Sequence, residues 1–157
     1  MEFICSCEKF DSHKDSSNDF IIADESNIIL SPAYLYTFED RLSNVKYSVI
    51  SDNVGYPMPH LELNNKIIIG TSRYIYFYDI SSKKTKSESL NSPCMELIKL
   101  YNKILVISEC DIMIISLEDN SIKKFEFNDI IVDYKICQNC LYIFLLEGGK
   151  KKVNILS

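Results

Sequence analysis

Asn64-Asn65-Lys66-Ile67-Ile68-Ile69-Gly70 is the stretch that decides the fold, because its pattern of turn residues followed by an apolar run returns along the chain. Two further copies are Tyr101–Ile107 and Gln138–Phe144, and a fourth begins with Asn-Ile-Ile-Leu-Ser at 27–31. Successive turn asparagines stand 38, 37 and 37 residues apart, at Asn27, Asn65, Asn102 and Asn139. Self-similarity at a fixed period indicates one structural unit used four times.

Each unit is predicted to hold about four short strands joined by tight turns. The strand after each apolar run is rich in aromatic and β-branched residues, which favour strands, as in Tyr34–Phe38, Tyr74–Tyr78 and Ile112–Leu117. No helical period persists for three turns. We therefore expect an all-β chain with a single domain over 1–157 and antiparallel units at about 20–50, 56–90, 94–127 and 130–156.

Four-stranded units that repeat about every 40 residues resemble the blades of β-propellers of the broad WD40, kelch and PQQ-like type. Tyr78-Asp79-Ile80 looks like the strand end of such a blade, although the Gly-His and Trp-Asp pairs of WD40 blades are missing. The last unit shows three strands, and Phe3–Cys7 is a candidate for closing a ring as its fourth. We favour an open half-propeller, because blades this small fill a ring poorly. Its apolar end faces would invite a partner or a second copy.

Composition excludes several classes of function. The chain of 157 residues has a formal net charge of −5, which argues against a general nucleic-acid binder. It lacks P-loop, Gly-x-Ser-x-Gly and His-Glu-x-x-His motifs, so no enzymatic activity is predicted. No signal peptide and no apolar run of the ~20 residues needed to span a membrane is visible, which predicts a cytoplasmic protein.

The cysteines and histidines allow two chemical hypotheses, neither of which is favoured. Six cysteines in a cytosolic protein are expected to be thiols. A zinc site would need four of them from distant segments: Cys5, Cys7, Cys137 and Cys140. A nucleophilic pair of Cys94 and His60 is a second hypothesis. We expect the cysteines to be small apolar residues of strands and turns, with no metal or cofactor.

The candidate site is an acidic face. The loop between the second and third strands and the loop to the next blade point to the same side of a propeller. That side carries most of the predicted partner-binding residues: Tyr34, Asp52, Tyr56, Glu109, Asp111 and Asp129. Acidic loops with tyrosines suit the capture of a basic protein surface. Asp133, with Tyr134, belongs to a rival site on the strand Ile130–Ile136 of the incomplete last unit.

In general character, the chain resembles an immunity protein of a bacterial toxin system such as contact-dependent growth inhibition. It is small and acidic, and its Ile, Asn, Lys and Ser content is typical of AT-rich bacterial genes. The resemblance implies a one-to-one complex with a basic toxin domain, such as a nuclease, whose active site is masked. The alternatives are a small enzyme or ligand-binding propeller fragment using a central groove, and a scaffold subunit.

Overall fold

The fold is all-β, as the repeat predicts. The computed structural model describes residues 3–10, 19–30, 32–52 and 58–156, and these form fifteen strands in four small sheets without a helix. Listed in spatial order, the first two sheets are β1 (Phe3–Lys9), β3 (Tyr34–Asp40), β4 (Lys46–Ser51) and β2 (Phe20–Asp24), then β5 (His60–Leu63), β6 (Lys66–Gly70), β7 (Tyr74–Asp79) and β8 (Lys84–Ser89).

The third and fourth sheets follow the same plan. They contain β9 (Cys94–Leu100), β10 (Lys103–Ser108), β11 (Asp111–Ser116) and β12 (Ile122–Glu126), then β13 (Ile131–Cys137), β14 (Cys140–Leu145) and β15 (Lys150–Asn154). Within the described ranges the fourth sheet therefore has three strands where the others have four. No helix in those ranges has the length and apolar character needed to cross a membrane.

The recurring turns explain the constant period. The hairpins β5–β6, β9–β10 and β13–β14 each place their first turn residue in the left-handed region, with φ of 52° to 54°, at Asn64, Tyr101 and Gln138. Asparagine adopts this conformation more readily than most residues. Each hairpin therefore starts its second strand at the same place in the unit, which keeps the buried residues of every strand in register.

Three separate apolar cores join the sheets in a row. Phe38 and Ile69 belong to the core between the first and second sheets, and Ile68 and Val106 to the core between the second and third. Leu105 belongs to a third core that joins the third sheet to the fourth. No cluster of described buried residues combines the first sheet with the fourth. The row is open, as the half-propeller prediction requires.

The first sheet departs from the predicted unit. The run at 27–31 was expected to form a strand, but residues 26–28 form a turn and Leu30 is fully exposed. The strand β1 takes the edge position beside β3 instead, so the alternative in which Phe3–Cys7 completes the last unit is wrong. β2 pairs with the side of β4 opposite β3 and runs parallel to β4, unlike every other described pair.

The two ends of the row are partly covered by charged and buried side chains, although Ile4 and Ile21 on the outward side of the first sheet remain 48% and 52% exposed. On the outward side of the last sheet, Lys150 and Lys152 lie over the ring of Tyr142, with their Nζ atoms 4.8 and 5.7 Å from its centre. On the outward side of the first sheet, Leu35 and Ile50 are already buried within the chain. Charged and buried side chains at the ends give each terminal unit the character of a cap.

Candidate functional site: a protein-binding surface

Two β-bulges place exposed apolar side chains on neighbouring sheets. On β9, Cys94 pairs with Ser108 and Glu96 pairs with Ile107, which leaves Met95 without a partner residue. On β13 the same irregularity leaves Val132 unpaired. Met95 is 43% exposed and Val132 54% exposed. A bulge changes the direction in which the side chain of its extra residue points.

The two bulges are copies of one feature. Met95 and Glu96 are followed 37 residues later by Val132 and Asp133, so each unit presents an apolar side chain with an acid beside it. We name the combined surface of Met95, Glu96, Val132, Asp133 and Tyr134 the paired-bulge surface. The second sheet has Met58 and Pro59 at the same repeat positions. Met58 is buried in the core against the first sheet, so the exposed feature begins at the third sheet.

Small cavities lie beside each bulge. One of about 250 Å³ is lined by residues from Met58–His60 and Met95–Leu97. Another of about 210 Å³ is shared by Met95, Glu96 and the start of β13. Both are smaller than the roughly 300–1,000 Å³ of sites that enclose small molecules. Their size suits single side chains of a protein partner.

A hydrogen bond ties the two strands of the surface together. The hydroxyl of Tyr134 donates to Oε2 of Glu96 at 2.6 Å. Burial, together with this bond to a carboxylate, raises the pKa of Tyr134 to about 12, so the phenol keeps its proton at neutral pH. The bond orients the Glu96 carboxylate, and its other oxygen accepts no hydrogen bond from the described residues. The arrangement is an acidic hydrogen-bond acceptor beside exposed apolar groups.

Glu109, another of the predicted acidic residues, lies beside this surface. Its backbone N–H donates to the carbonyl of Pro93, and its carbonyl accepts from the N–H of Ile131. These bonds hold Glu109 between the starts of β9 and β13 with its side chain exposed. Asp133 is also exposed and belongs to the surface directly. The structure therefore brings Glu109 and Asp133 together although they were predicted for different sites.

Asp52 lies elsewhere and is engaged within the protein. Its carboxylate accepts hydrogen bonds from Ser72 and from the Arg73 guanidinium, whose Nη1 is 2.7 Å from Oδ2. Burial acts to raise the pKa of Asp52, but the bonds from Ser72 and Arg73 outweigh it and the pKa is lowered. These contacts link the first sheet to the second. Tyr34 is half-buried against the core of those two sheets, and Tyr56 lies outside the described residues.

Asp111 and Asp129 also serve the fold. Asp111 is buried at the start of β11, where its carboxylate accepts a hydrogen bond from Ser92 and where burial raises its pKa. It was predicted to be an exposed loop residue that meets a partner, whereas the structure places it at the start of a strand with its side chain buried. The Asp129 carboxylate accepts from the backbone N–H groups of Ile130 and Glu147, which closes the loop between the third and fourth sheets.

The geometry argues against the cysteine–histidine pair. Cys94 is buried, and burial raises the pKa of its thiol to about 12, so it does not form the thiolate that a nucleophile needs. The ring of His60 packs edge-on against Phe38, and its Nδ1 lies 2.8 Å from the Met58 carbonyl oxygen. Both residues are accounted for by packing between sheets.

Thiol titration is expected to show that Cys94 reacts differently from the exposed cysteines. All six cysteines are unbridged, and Cys7 and Cys137 are exposed. A thiol-specific reagent should modify Cys7 and Cys137 in the native protein and reach Cys94 after denaturation. The variant Cys94→Ser should leave the native count unchanged and lower the denatured count from six to five. A lower native count in that variant would show that Cys94 is accessible.

The structure also separates the cysteines of the zinc hypothesis. Cys5 and Cys7 lie on β1 of the first sheet, whereas Cys137 and Cys140 flank the β13–β14 turn of the last sheet. In the described part of the chain, no group of three or more histidine, cysteine, aspartate or glutamate side chains could hold a metal ion.

Sequence reasoning missed Met95, Glu96 and Val132. The available signal was the recurrence of an apolar residue followed by an acid at the 37-residue period. Alternation within a strand would bury either Met95 or Glu96, and the bulge that exposes both depends on the pairing of β9 with β10.

Comparison with known proteins supports the fold and no more. No protein-family model matches the sequence, and no curated protein matches it. A similar solved structure is the computationally designed Ika4 protein, with a TM-score of 0.53 at 10% identity over 90% of this chain and 94% of that one. Another is Sqt1 of Saccharomyces cerevisiae, with a TM-score of 0.55 at 11% identity over 80% of this chain. The match spans 42% of the Sqt1 chain.

Proposed function

We propose that this protein is a binding protein without turnover that captures a basic protein partner on the paired-bulge surface. The observation that carries the proposal is the repeated exposure of an apolar side chain beside an acid, at Met95–Glu96 and Val132–Asp133. Apolar anchors within a charged surround are the usual composition of a protein-binding hot spot. The net charge of −5 favours a basic partner through electrostatic steering.

The finer proposal is a cytoplasmic immunity protein that binds a basic toxin domain, such as a nuclease, one to one and masks its active site. Its support is the acidic character of the chain, the exposed carboxylates of Glu96, Glu109 and Asp133, and cavities of side-chain size. The small volume of these two cavities favours a protein partner over an enclosed small molecule at the paired-bulge surface.

The test measures cell protection and binding rates with a purified basic nuclease toxin domain, taken from the neighbouring gene where that gene encodes one. The variant Glu96→Lys/Asp133→Lys should lower the association rate about tenfold or more at low salt, because it reverses the local field. The matched control Glu88→Lys/Glu118→Lys changes the net charge equally but away from the surface, and should have a much smaller effect. Met95→Ala/Val132→Ala should act mainly by speeding dissociation, since desolvated anchors hold the complex once formed.

Two outcomes would contradict the proposal. If the Glu96→Lys/Asp133→Lys variant binds as fast as its control and protects cells equally, the partner does not use this surface. If the purified protein alone catalyses a reaction on a substrate of the basic domain, the assignment as a non-enzymatic binding protein fails. Charge reversal at Asp111 is unsuitable for this test, because burying a lysine beside Ser92 would disturb the fold itself.

A further inference from the structure

A groove of about 360 Å³ lies between the second and third sheets, at the outer strands β8 and β12. Its apolar side chains are Phe77, Ile115 and Ile122, which belong to the core between these sheets or pack against it. Ile115 is buried, whereas Phe77 and Ile122 are half-buried. The volume falls within the roughly 300–1,000 Å³ of sites that bind small molecules.

The sequence of β8 explains why this core stays open at the groove. β8 reads Lys-Thr-Lys-Ser-Glu-Ser and has no apolar residue. Lys86 pairs with Phe77 and therefore lies on the face toward the third sheet. Lys84 and Glu88 share that face, because side chains alternate along a strand. In the third sheet, Phe125 stands 37 residues after Glu88 and packs into the next core. The second sheet lacks the apolar side chain that would cover its core here.

Positive charge predominates in the lining of the groove. The lysines of the lining, Lys66, Lys84 and Lys86, are exposed, and none of them forms a salt bridge within the described part of the chain. The acids of the lining are two, Asp79 and Glu88. The lining is therefore positive overall, although the whole chain has a net charge of −5. This local excess favours an anionic ligand over a cationic one.

The charge of Asp79 is balanced within the protein. Asp79 pairs with Lys66 on β6 and with Lys84 on β8, so it lies between two lysines of the lining. Its carboxylate accepts a hydrogen bond from the backbone N–H of Ser82 at 2.8 Å, and this bond lowers the pKa of Asp79. The carboxylate is therefore held by the β7–β8 turn, and the lysines on either side offset its charge.

Glu88 lies at the other end of β8. At about 3.3 Å per residue, an anionic group placed between Lys84 and Lys86 would lie about 10 Å from Glu88 along the strand. Next to Glu88, the ammonium group of Lys124 on β12 donates a hydrogen bond to the carbonyl oxygen of Ser89 at 3.1 Å. This bond joins β12 to β8 and adds a positive charge at the end where Glu88 lies.

We infer that the groove binds a small organic anion, with a flat apolar body against Phe77 and Ile122 and a carboxylate or phosphate group held by Lys84 and Lys86. The body would remove half-buried apolar side chains from water, and the ammonium groups would donate charge-assisted hydrogen bonds. The groove lies between the second and third sheets, whereas the paired-bulge surface joins the third and fourth. The inference therefore does not depend on the proposed function.

The probe is 2-naphthoate, added to the full chain labelled with ¹⁵N. We expect saturable binding with a dissociation constant of about 1 mM or below, as is usual for a ligand of this size, and chemical-shift changes at Phe77, Lys86 and Ile122. Two probes with the same rings separate charge from shape. The neutral 2-naphthamide should bind about threefold or more weakly, and the cationic 2-naphthylmethylammonium at least about tenfold more weakly.

Substitutions on β8 test the two halves of the site separately. Lys84→Gln/Lys86→Gln should weaken binding of 2-naphthoate about threefold or more and leave binding of 2-naphthamide unchanged. The matched control Lys150→Gln/Lys152→Gln removes the same charge from β15 and should change neither. Glu88→Phe places in β8 the residue type found at the same repeat position of the third sheet. It should fill the groove and abolish binding of both probes there.

Three results would overturn the inference. One is the absence of chemical-shift changes at the groove residues with 2-naphthoate. The second is equal binding of the anionic, neutral and cationic probes. The third is a Lys84→Gln/Lys86→Gln variant that binds 2-naphthoate as tightly as its β15 control. Because both lysines are exposed, this variant is expected to retain the native ¹⁵N spectrum outside the groove.

Discussion

Replacing Gly70 with alanine is expected to lower the free energy of unfolding by about 3 kcal/mol, the upper end of the usual cost of overpacking a core. A Cβ at Gly70 would lie 2.3 Å from Sγ and 2.7 Å from Cβ of Cys94. Cys94 is buried on β9, so the methyl group can enter only if the second and third sheets separate locally. Thermal unfolding should show a fall in Tm of about 5–10 °C.

The control for this substitution is Gly149→Ala. A Cβ there would lie 3.2 Å from Cδ1 of Leu145, the far end of a side chain that can rotate, and we expect a change below about 1 kcal/mol. In a double-mutant cycle, Cys94→Ala should relieve part of the cost of Gly70→Ala, because it removes the sulfur but keeps Cβ. Additive effects of the two substitutions would show that the contact is not the cause.

Glu25→Ala is expected to destabilise the protein by about 2–4 kcal/mol, because it removes the acceptor shared by three buried or half-buried hydroxyl groups. Oε2 of Glu25 accepts from Ser51 at 2.6 Å, and Oε1 accepts from Thr71 at 2.8 Å and Tyr76 at 2.9 Å. Ser51 belongs to the first sheet and Tyr76 to the second, and Thr71 lies in the connection between β6 and β7. The carboxylate therefore joins the two sheets.

Denaturant unfolding of matched variants would test this assignment. Glu25→Gln keeps one acceptor oxygen and the side-chain shape, so its effect should fall well below that of Glu25→Ala. Glu118→Ala removes an exposed glutamate and should change stability by less than about 0.5 kcal/mol. The double variant Glu25→Ala/Tyr76→Phe also removes the Tyr76 hydroxyl. It should recover part of the lost free energy of unfolding, since no buried hydroxyl of residue 76 is then left without an acceptor. Destabilisation of the glutamine variant as large as that of the alanine variant would show that neither the side-chain shape nor the one remaining acceptor oxygen contributes, and would contradict the assignment.

Local sequence patterns predicted most of the fold of the last three sheets. Asn65, Asn102 and Asn139 mark hairpins that the structure confirms, and the apolar runs after them are the buried strands β6, β10 and β14. These features are readable because a turn and the alternation of side chains depend on residues close together in the chain.

The same reasoning failed at the first unit for a physical reason. The run at 27–31 carries the same turn residue and apolar side chains, but none of the described strands pairs with residues 27–30, and Leu30 remains exposed. The place beside β3 is filled by β1 from outside the predicted unit. Whether an apolar run becomes a strand depends on which segment reaches the open edge, and that competition involves residues distant in the chain.

The candidate site likewise has features that the sequence determines and features that only the tertiary structure determines. The sequence by itself determined a repeating all-β chain with an acidic character, because period, turn residues and charge are local or additive properties. The tertiary structure decided which acids are available: Asp52 is paired with Arg73 and Asp111 is buried beside Ser92, while Glu109 and Asp133 stay exposed. It also produced the exposed apolar anchors Met95 and Val132. A bulge is a mismatch between two paired strands, so it exists only once both strands are in place.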